Sequence, residues 1–454
     1  MKERDLTKEN ILKTLIITSV PTMIGFGSQM LFDLVDLFWI GKISSEAIAA
    51  VTIFSTIFWV VMAFNEIIGT SSVSLISQNF GRKDIKRTEL SIEQTITFKF
   101  LVALIAAVLM AIFLKPLINF FTDVPLIRSY THDYGYIRLF FLPIMFTSYS
   151  VNTALRCIGD AKTPMYIMIF ASVLNIILDP LFIFETVPYI NIPGLNLGVF
   201  GAALATVLTQ TLASAIGLYF LFSGKSIVKP KIKNLFKLDK EMDKQLITIG
   251  LPNGLEVFLR NIFQVIVLKF VALFGTEAVA ATGIAGRIFG FAFMPLIGLA
   301  ISSSAMIGQS LGTDDIKRSQ KTANISGAFG AFLLLIFTIC VIIFGEFLIG
   351  IFSDDLQVIK YGAEFLTYGT IGLVFIAYGF GFSSAFSGAG YNKPVFVSSA
   401  ISRWVVQIPF LLITVLLLNL PIIWVWLAYL VGDIADFLVK LYYYKKGTWK
   451  YKRV

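Results

Sequence analysis

One spacing runs through this chain: Pro21, Glu46, Ser71, Gln78 and Gly81 return 231 residues later as Pro252, Glu277, Ser302, Gln309 and Gly312. Asp84-Ile85-Lys86-Arg87 returns as Asp315-Ile316-Lys317-Arg318, and Ala154, Gly159 and Lys162 return as Ala385, Gly390 and Lys393. A single offset kept over about 140 residues marks two related halves, so whatever the first half folds into must be buildable twice. In an apolar chain such a doubling points to a transporter with its site between the halves.

Each half is too apolar for water. Hydrophobic residues make up 57% of the 454 and charged residues 14%, against about 25% charged in soluble domains. Stretches of the roughly 20 residues needed to cross a bilayer as a helix fall at 12–40, 47–78, 90–114, 132–155, 164–184, 199–223, 246–274, 278–308, 320–350, 360–387, 395–418 and 421–444. The longer ones must tilt, bend or project from the hydrocarbon. The expectation is an all-α polytopic membrane protein of twelve transmembrane helices. Its first lobe would span 1–225, a basic cytoplasmic linker 226–245 and the second lobe 246–454. Six helices per half give both halves one topology, so the pseudo-twofold axis relating the two six-helix bundles should run along the membrane normal.

Lys and Arg set the orientation, because cytoplasmic loops carry their excess. They gather at the N-terminus (Lys2, Arg4, Lys8), in the second loop (Arg82, Lys83, Lys86, Arg87), in the linker from Lys225 to Lys244, and in the tail (Lys445, Lys446, Lys450, Lys452, Arg453). The alternate loops hold little beyond Lys42, Lys115, Arg128 and Lys360, which puts both termini in the cytoplasm of a plasma-membrane protein. The net charge of +9 is then an orientation signal rather than a nucleic-acid footprint. No cleavable signal peptide is expected, because the first apolar segment is too long for one. Cys157 and Cys340 read as two free thiols. One histidine, His132, without a Cys/His cluster argues against a His-rich metal centre, and the absence of a nucleophile or phosphate-binding motif argues against an enzyme. No filter-like repeat suggests a channel.

Ionisable side chains inside the bilayer are costly, and their default meaning is functional. The first half carries Asp33 and Asp36 in helix one, Glu66 in helix two and Asp179 in helix five. A rise of 1.5 Å per residue puts Asp36 and Asp179 in the outer half of the membrane, at depths that let them share a cavity. Asn152, Asn175 and Thr206 are the neutral oxygen donors most easily grouped with them, Asn175 standing one turn before Asp179. The repeat is an internal control. The offset sends Asp33, Asp36 and Asp179 to Gln264, Val267 and Phe410, and sends Asn65 and Glu66 to Leu296 and Ile297. Acids confined to one half of a symmetric scaffold favour a cation site there over a packing role. Asp33 reads equally as functional and as a residue that simply caps the outer end of helix one or faces a water-filled cleft.

The second half has Glu256 and Arg260 one turn apart, with Arg403, Asp433 and Asp436 further on. An ion-paired cluster holding helices together is the first expectation for these, and a second transport site the alternative. Arg260 stands apart, since its repeat partner is Gln29. Pro21 and Pro252 each remove a backbone hydrogen bond from a long helix, and Pro21 lies between the cytoplasmic end of helix one and Asp36, where a hinge or a fixed kink is expected.

Four stretches resemble the multidrug and toxic compound extrusion (MATE) family of the MOP flippase superfamily. They are Gln29 to Trp39 (QMLFDLVDLFW), Asn152-Thr153-Ala154-Leu155-Arg156 with Gly159-Asp160, Asn175-Ile176-Ile177-Leu178-Asp179-Pro180, and Gly198-Val199-Phe200-Gly201-Ala202-Ala203. The similarity covers the whole chain, and the motifs are modest singly but specific in their order. The resemblance implies two six-helix bundles and export of cationic or amphipathic organic compounds by antiport with H⁺ or Na⁺ through alternating access. It also implies a monomer with no cofactor. It assigns Asp36 and Asp179 to the acids of the branch with an N-lobe cation site, and Asn152, Asn175 and Thr206 to their polar neighbours. Tyr134 or Tyr136 would supply that branch's tyrosine. Gln29, Met168 and Ser172 match its cargo cavity, to which Glu66 and Arg260 are added as candidates from their place in the helices. Glu66 stands where that branch usually has an apolar residue, Asp433 and Asp436 are unexpected, and the other branch's acid in helix ten has only Glu364 to answer it. Paired aspartates could bind protons, and the same oxygens could surround Na⁺. A rival of another class is a lipid-linked oligosaccharide flippase of the same superfamily, favoured by the basic loops and disfavoured by the cavity acids.

Overall fold

The computed structural model describes residues 5–224 and 226–454; Lys2, Arg4 and Lys225 lie outside the described residues. The chain is almost entirely helical. Six rods come from the first half: α1 (Ile11–Gly41), α2 (Ser45–Gly81), α3 (Ile85–Phe121), the pair α4 (Pro125–Phe140) and α5 (Leu142–Cys157), α6 (Lys162–Ile183) and α7 (Gly198–Phe222). A short 3₁₀ turn (Ile232–Phe236) leads to six more. These are α8 (Lys240–Ala272), α9 (Thr276–Gly312), α10 (Ile316–Gly350), α11 (Leu356–Ala389), a composite of α12 (Lys393–Ala400) and α13 (Ile408–Leu411), and α14 (Ile423–Lys446). Among the described residues the only β pairing is an isolated bridge between Thr186 and Pro193.

Nine of these helical rods are individually long and apolar enough to cross a bilayer. Side chains such as Ile105, Ile112 and Phe113 on α3 and Ile336, Ile343 and Phe347 on α10 are exposed. Helices apolar on their outer faces as well as their inner ones are those of a multi-pass membrane protein.

The repeated sequence elements become repeated joints. Asp84 caps α3 by accepting from the Arg87 N–H at 3.0 Å, and Asp315 caps α10 by accepting from the Arg318 N–H at 2.8 Å. Each leaves one orphan donor of a helix start satisfied. Gly159 and Gly390 stop the preceding helices at φ of +90° and +70°, a conformation that side chains resist. Where a single span was expected at 132–155 the structure has two helices, broken at Phe141 (φ −90°, ψ 2°). Pro143, two residues on, has no N–H to carry the helix through.

Two compact units emerge, one built on Pro21–Gly250 and the other on Leu6–Val20 together with Leu251–Val454. Thus the first turns of α1 pack within the second unit, and the first turns of α8 within the first. The borders lie beside the repeat-related prolines. In the second unit the Leu6 N–H donates to Gln309 Oε1 at 3.2 Å, and Arg318 Nη2 donates to the carbonyls of Leu6 and Glu9 at 2.8 and 2.7 Å. The first unit's core is Phe54, Ile57, Tyr134, Leu139, Ile183 and Val199, with a second cluster around Ile76, Ile92 and Leu155. The second unit's centres on Phe365 stacked on Trp426 at 4.4 Å.

Candidate cation and cargo site

Helices α1 and α6 run side by side in the first unit. Gly25 lets them close up, because a Cβ there would come within 3.0 Å of the Met168 sulfur. One turn on, Ser172 Oγ donates to Ser28 Oγ at 3.4 Å. From that contact Asp36 is eight residues further along α1 and Asp179 seven further along α6, two turns in each case, so the acids reach the same level. Asp36 is 7% exposed and Asp179 fully buried. Asp179 lies within electrostatic reach of Asp36.

Asn175 Nδ2 donates to Asp179 Oδ1 at 3.1 Å, one turn apart on α6. Asp36 Oδ1, Asp179 Oδ2 and Asn175 Oδ1 are buried with no hydrogen-bond partner among the described residues. Such orphans cost free energy unless something binds them. Three oxygen acceptors left without a partner suit a proton or a hard monovalent cation.

The other expected residues divide. Tyr134 is buried, within electrostatic reach of Asp36 and Asp179, and packs edge-on against Phe54 at 5.5 Å. Tyr136 is 44% exposed and stacks on His132, so the structure brings Tyr134 and not Tyr136 to the acids. Thr206 is buried on α7, with its hydroxyl donating to the Ala202 carbonyl at 3.0 Å. Asn152 is 7% exposed on α5. Gln29 lies beside the Tyr149 hydroxyl, and Met168 accepts from Arg156 Nη2 at 3.3 Å. Glu66 accepts from its neighbour Asn65 at 3.3 Å.

Two bases escaped the sequence reading. Arg138 on α4 is felt by Asp33, Asp36 and Asp179, and its guanidinium lies 5.6 Å from the ring centroids of Phe58 and Tyr134. Lys99 on α3, 1% exposed, rests 5.9 Å from the Phe146 and Tyr149 rings within reach of Glu66. Their repeat partners are Gly369 and Gly330. The symmetry break that exposed the acids would have found them, had it been asked of bases.

In the second unit several of the expected charges are paired. Glu256 accepts from Ser399 Oγ at 3.0 Å and lies 3.6 Å from Arg403 and 3.9 Å from Arg260. Arg403, which also bonds to Ser399, projects from a π-helical stretch, Ile401–Gln407, that joins α12 to α13. Asp436 pairs with Lys440 at 2.7 Å. Asp433 lies against Gly372, where a Cβ would collide with the carboxylate. This matches the ion-paired cluster expected from the sequence.

Comparison with known proteins agrees with the fold. The MatE family model matches residues 21–181 and 252–413, two segments that begin at the repeat-related prolines. The chain is 24% identical over 451 residues to a probable multidrug resistance protein, YoeA, of Bacillus subtilis, covering 99% of this chain and 96% of that one. It is 27% identical over 436 residues to the multidrug export protein MepA of Staphylococcus haemolyticus, covering 93% and 92%. A solved outward-facing conformation of a multidrug resistance MATE family transporter of the MOP superfamily superposes with a TM-score of 0.88 at 23% identity, over 98% of both chains. With its doubled helical halves and both segments matched, the chain belongs to the MatE family, whose members are membrane transporters and not enzymes.

Proposed function

We propose that this transporter is a secondary active multidrug exporter. It moves cationic or amphipathic organic compounds out of the cell by antiport with H⁺ or Na⁺ through alternating access. The observation that carries this is the pair Asp36 and Asp179, buried together with unpartnered oxygens on a scaffold whose other half has Val267 and Phe410 instead. In this reading Asp36, Asp179 and the Asn175 amide oxygen bind the coupling cation, with Asn152, Thr206 and Tyr134 around them. Gln29, Met168 and Ser172 line the adjoining cargo surface, with Glu66 and Arg260 as further cargo contacts. Pro21, where α1 lacks one backbone donor, is the hinge. The protein sits in the plasma membrane with both termini cytoplasmic and acts as a monomer.

An empty pair of buried carboxylates repels itself and attracts a cation; binding the coupling ion removes that attraction. A cargo cation held by the same field is then released, which makes the two occupancies exclusive. Exclusivity is what antiport requires.

The test is efflux of a fluorescent lipophilic cation from cells and from proteoliposomes with an imposed pH or Na⁺ gradient. Asp36→Asn and Asp179→Asn should each abolish gradient-driven efflux, at least about a hundredfold, the loss of an interaction worth roughly 3 kcal/mol, with unchanged membrane abundance. Efflux at the unsubstituted rate in both variants would sink the proposal.

A further inference from the structure

The repeat also exposes a second place where the halves differ, on the outer faces of α3 and α10. In the first unit the face of α3 is covered by the inter-lobe linker. Glu89 Oε1 accepts from the Lys229 N–H at 2.8 Å, and Glu93 Oε1 accepts from the Lys231 N–H at 2.6 Å and from Asn234 Nδ2 at 3.1 Å. Further along, Gln94 Nε2 donates to the Lys237 carbonyl at 2.7 Å, and Thr97 Oγ1 donates to that of Leu235 at 2.7 Å. A basic strap is held by an acidic helix face.

The equivalent face of α10 carries the opposite chemistry. The offset turns Glu89, Leu90 and Glu93 into Gln320, Lys321 and Asn324, while Lys86 stays lysine as Lys317. These four, with Tyr378 of α11, line a shallow, open groove of about 550 Å³. Lys317, Lys321 and Asn324 are exposed there. The acids nearest in sequence are engaged elsewhere: Asp314 pairs with Arg453 at 2.7 Å, and Asp315 caps α10. Tyr444 donates to Asn324 Oδ1 at 3.1 Å, which leaves the Asn324 N–H₂ as donor toward the groove. Two ammonium groups and two carboxamides make a surface for a phosphate group.

What adjoins the groove narrows the source of that phosphate. Its floor is Ile325 and Ala328. One and two turns further along the same stripe stand Phe332 and Leu335, 56% and 46% exposed, and then Ile339 at 49%. Basic and amide groups at the end of a helix whose face continues as an apolar rail match a head group with acyl chains attached, and basic pockets between transmembrane helices bind such head groups.

We propose that the α10–α11 groove binds the head group of an anionic phospholipid, with the acyl chains along the exposed rail of α10. The site needs only that the helices span a bilayer, so it stands apart from cation coupling at Asp36 and Asp179.

Purified full-length protein in non-ionic detergent would be mixed with phosphatidylglycerol and phosphatidylcholine, and retained lipid measured by native mass spectrometry. The unsubstituted protein should keep phosphatidylglycerol preferentially, and excess inorganic phosphate should fail to displace it. Lys317→Gln with Lys321→Gln should lower the preference about thirtyfold, two surface lysines' worth. Gln320→Glu with Asn324→Glu, which copies the acidic face of α3, should abolish it. Ala328→Trp, filling the groove while keeping both lysines, should weaken it too, and melting curves would verify that each variant is folded. An undiminished preference in the lysine variant would overturn the proposal. Full displacement by inorganic phosphate would do the same, leaving a simple ion site, as would binding of an acidic peptide in place of the lipid.

Discussion

At the scale of single residues, the chain invests its most expensive groups in one place. Asp36 and Asp179 leave carboxylate oxygens buried without partners, a state that costs several kcal/mol unless an ion, a proton or a cargo cation supplies what water no longer does. Arg138 supplies part of it, as a guanidinium parked on aromatic rings within the field of three acids. Replacing it with an uncharged side chain deepens the negative potential at the pair. Arg138→Gln should therefore lower the concentration of driving cation needed for half-maximal efflux, by severalfold to about tenfold at an intermediate dielectric. Titrating proteoliposome efflux against external cation reads this out, and a raised requirement would show that Arg138 helps to bind the ion instead. The acids were legible in the sequence because an ionisable group in an apolar helix is conspicuous and the second half lacks it. The tyrosine was not. Positions 134 and 136 lie on opposite faces of α4, and the resemblance leaves the register there open by two residues.

At the scale of elements, short motifs turned out to be joints. The repeated Asp-Ile-Lys-Arg reads in the sequence as a basic loop, and in the structure its aspartate is the cap that starts α3 and α10. Hydropathy placed these helices at 90–114 and 320–350, whereas they run Ile85–Phe121 and Ile316–Gly350. Hydrogen-bonded turns outlast the hydrocarbon, and a window of apolar residues cannot see the polar turns beyond it. The π-helical stretches around α13 left no sequence signal at all, since they depend on packing such as Gln407 Nε2 donating to the Ala428 carbonyl at 3.1 Å. The linker was expected as a surface segment, and its grip on α3 is carried by two glutamates. Glu93→Ala removes the acceptor of two hydrogen bonds and should free the strap. Limited trypsin digestion between Lys229 and Lys240 should then be faster by about tenfold, as local opening becomes ~1.4 kcal/mol easier. Unchanged cleavage would mean that Glu89, Gln94 and Thr97 hold the strap without it.

At the scale of the whole molecule, the twelve-helix plan and its twofold origin were readable because both follow from periodic apolar length and a fixed offset. The borders of the packed units were less so. Composition puts the divide in the Lys-rich linker, but packing puts it beside Pro21 and Pro252, inside two continuous helices. Gly250 marks why: a Cβ there would collide with the Ile67 carbonyl, so α8 meets α2 backbone to backbone before it leaves the first unit. Arg318 ties the chain's first residues to the second unit through two carbonyls. Arg318→Ala should lower that unit's stability by about 2 kcal/mol, the scale of charged hydrogen bonds. The check is the melting temperature in detergent, and an unaltered value would show those contacts to be neutral.

The placement of Leu6–Val20 has a consequence in time. Gln309 and Arg318, which hold Leu6, are made some 300 residues after it. The opening turns of α1 must therefore wait for those partners while some 300 further residues are made. Closing that contact spans more than 300 residues of chain, and long closures are slow. The second unit reaches its final form only when the opening turns of α1 join it, so its assembly should be the late step in biogenesis and the one most exposed to quality control.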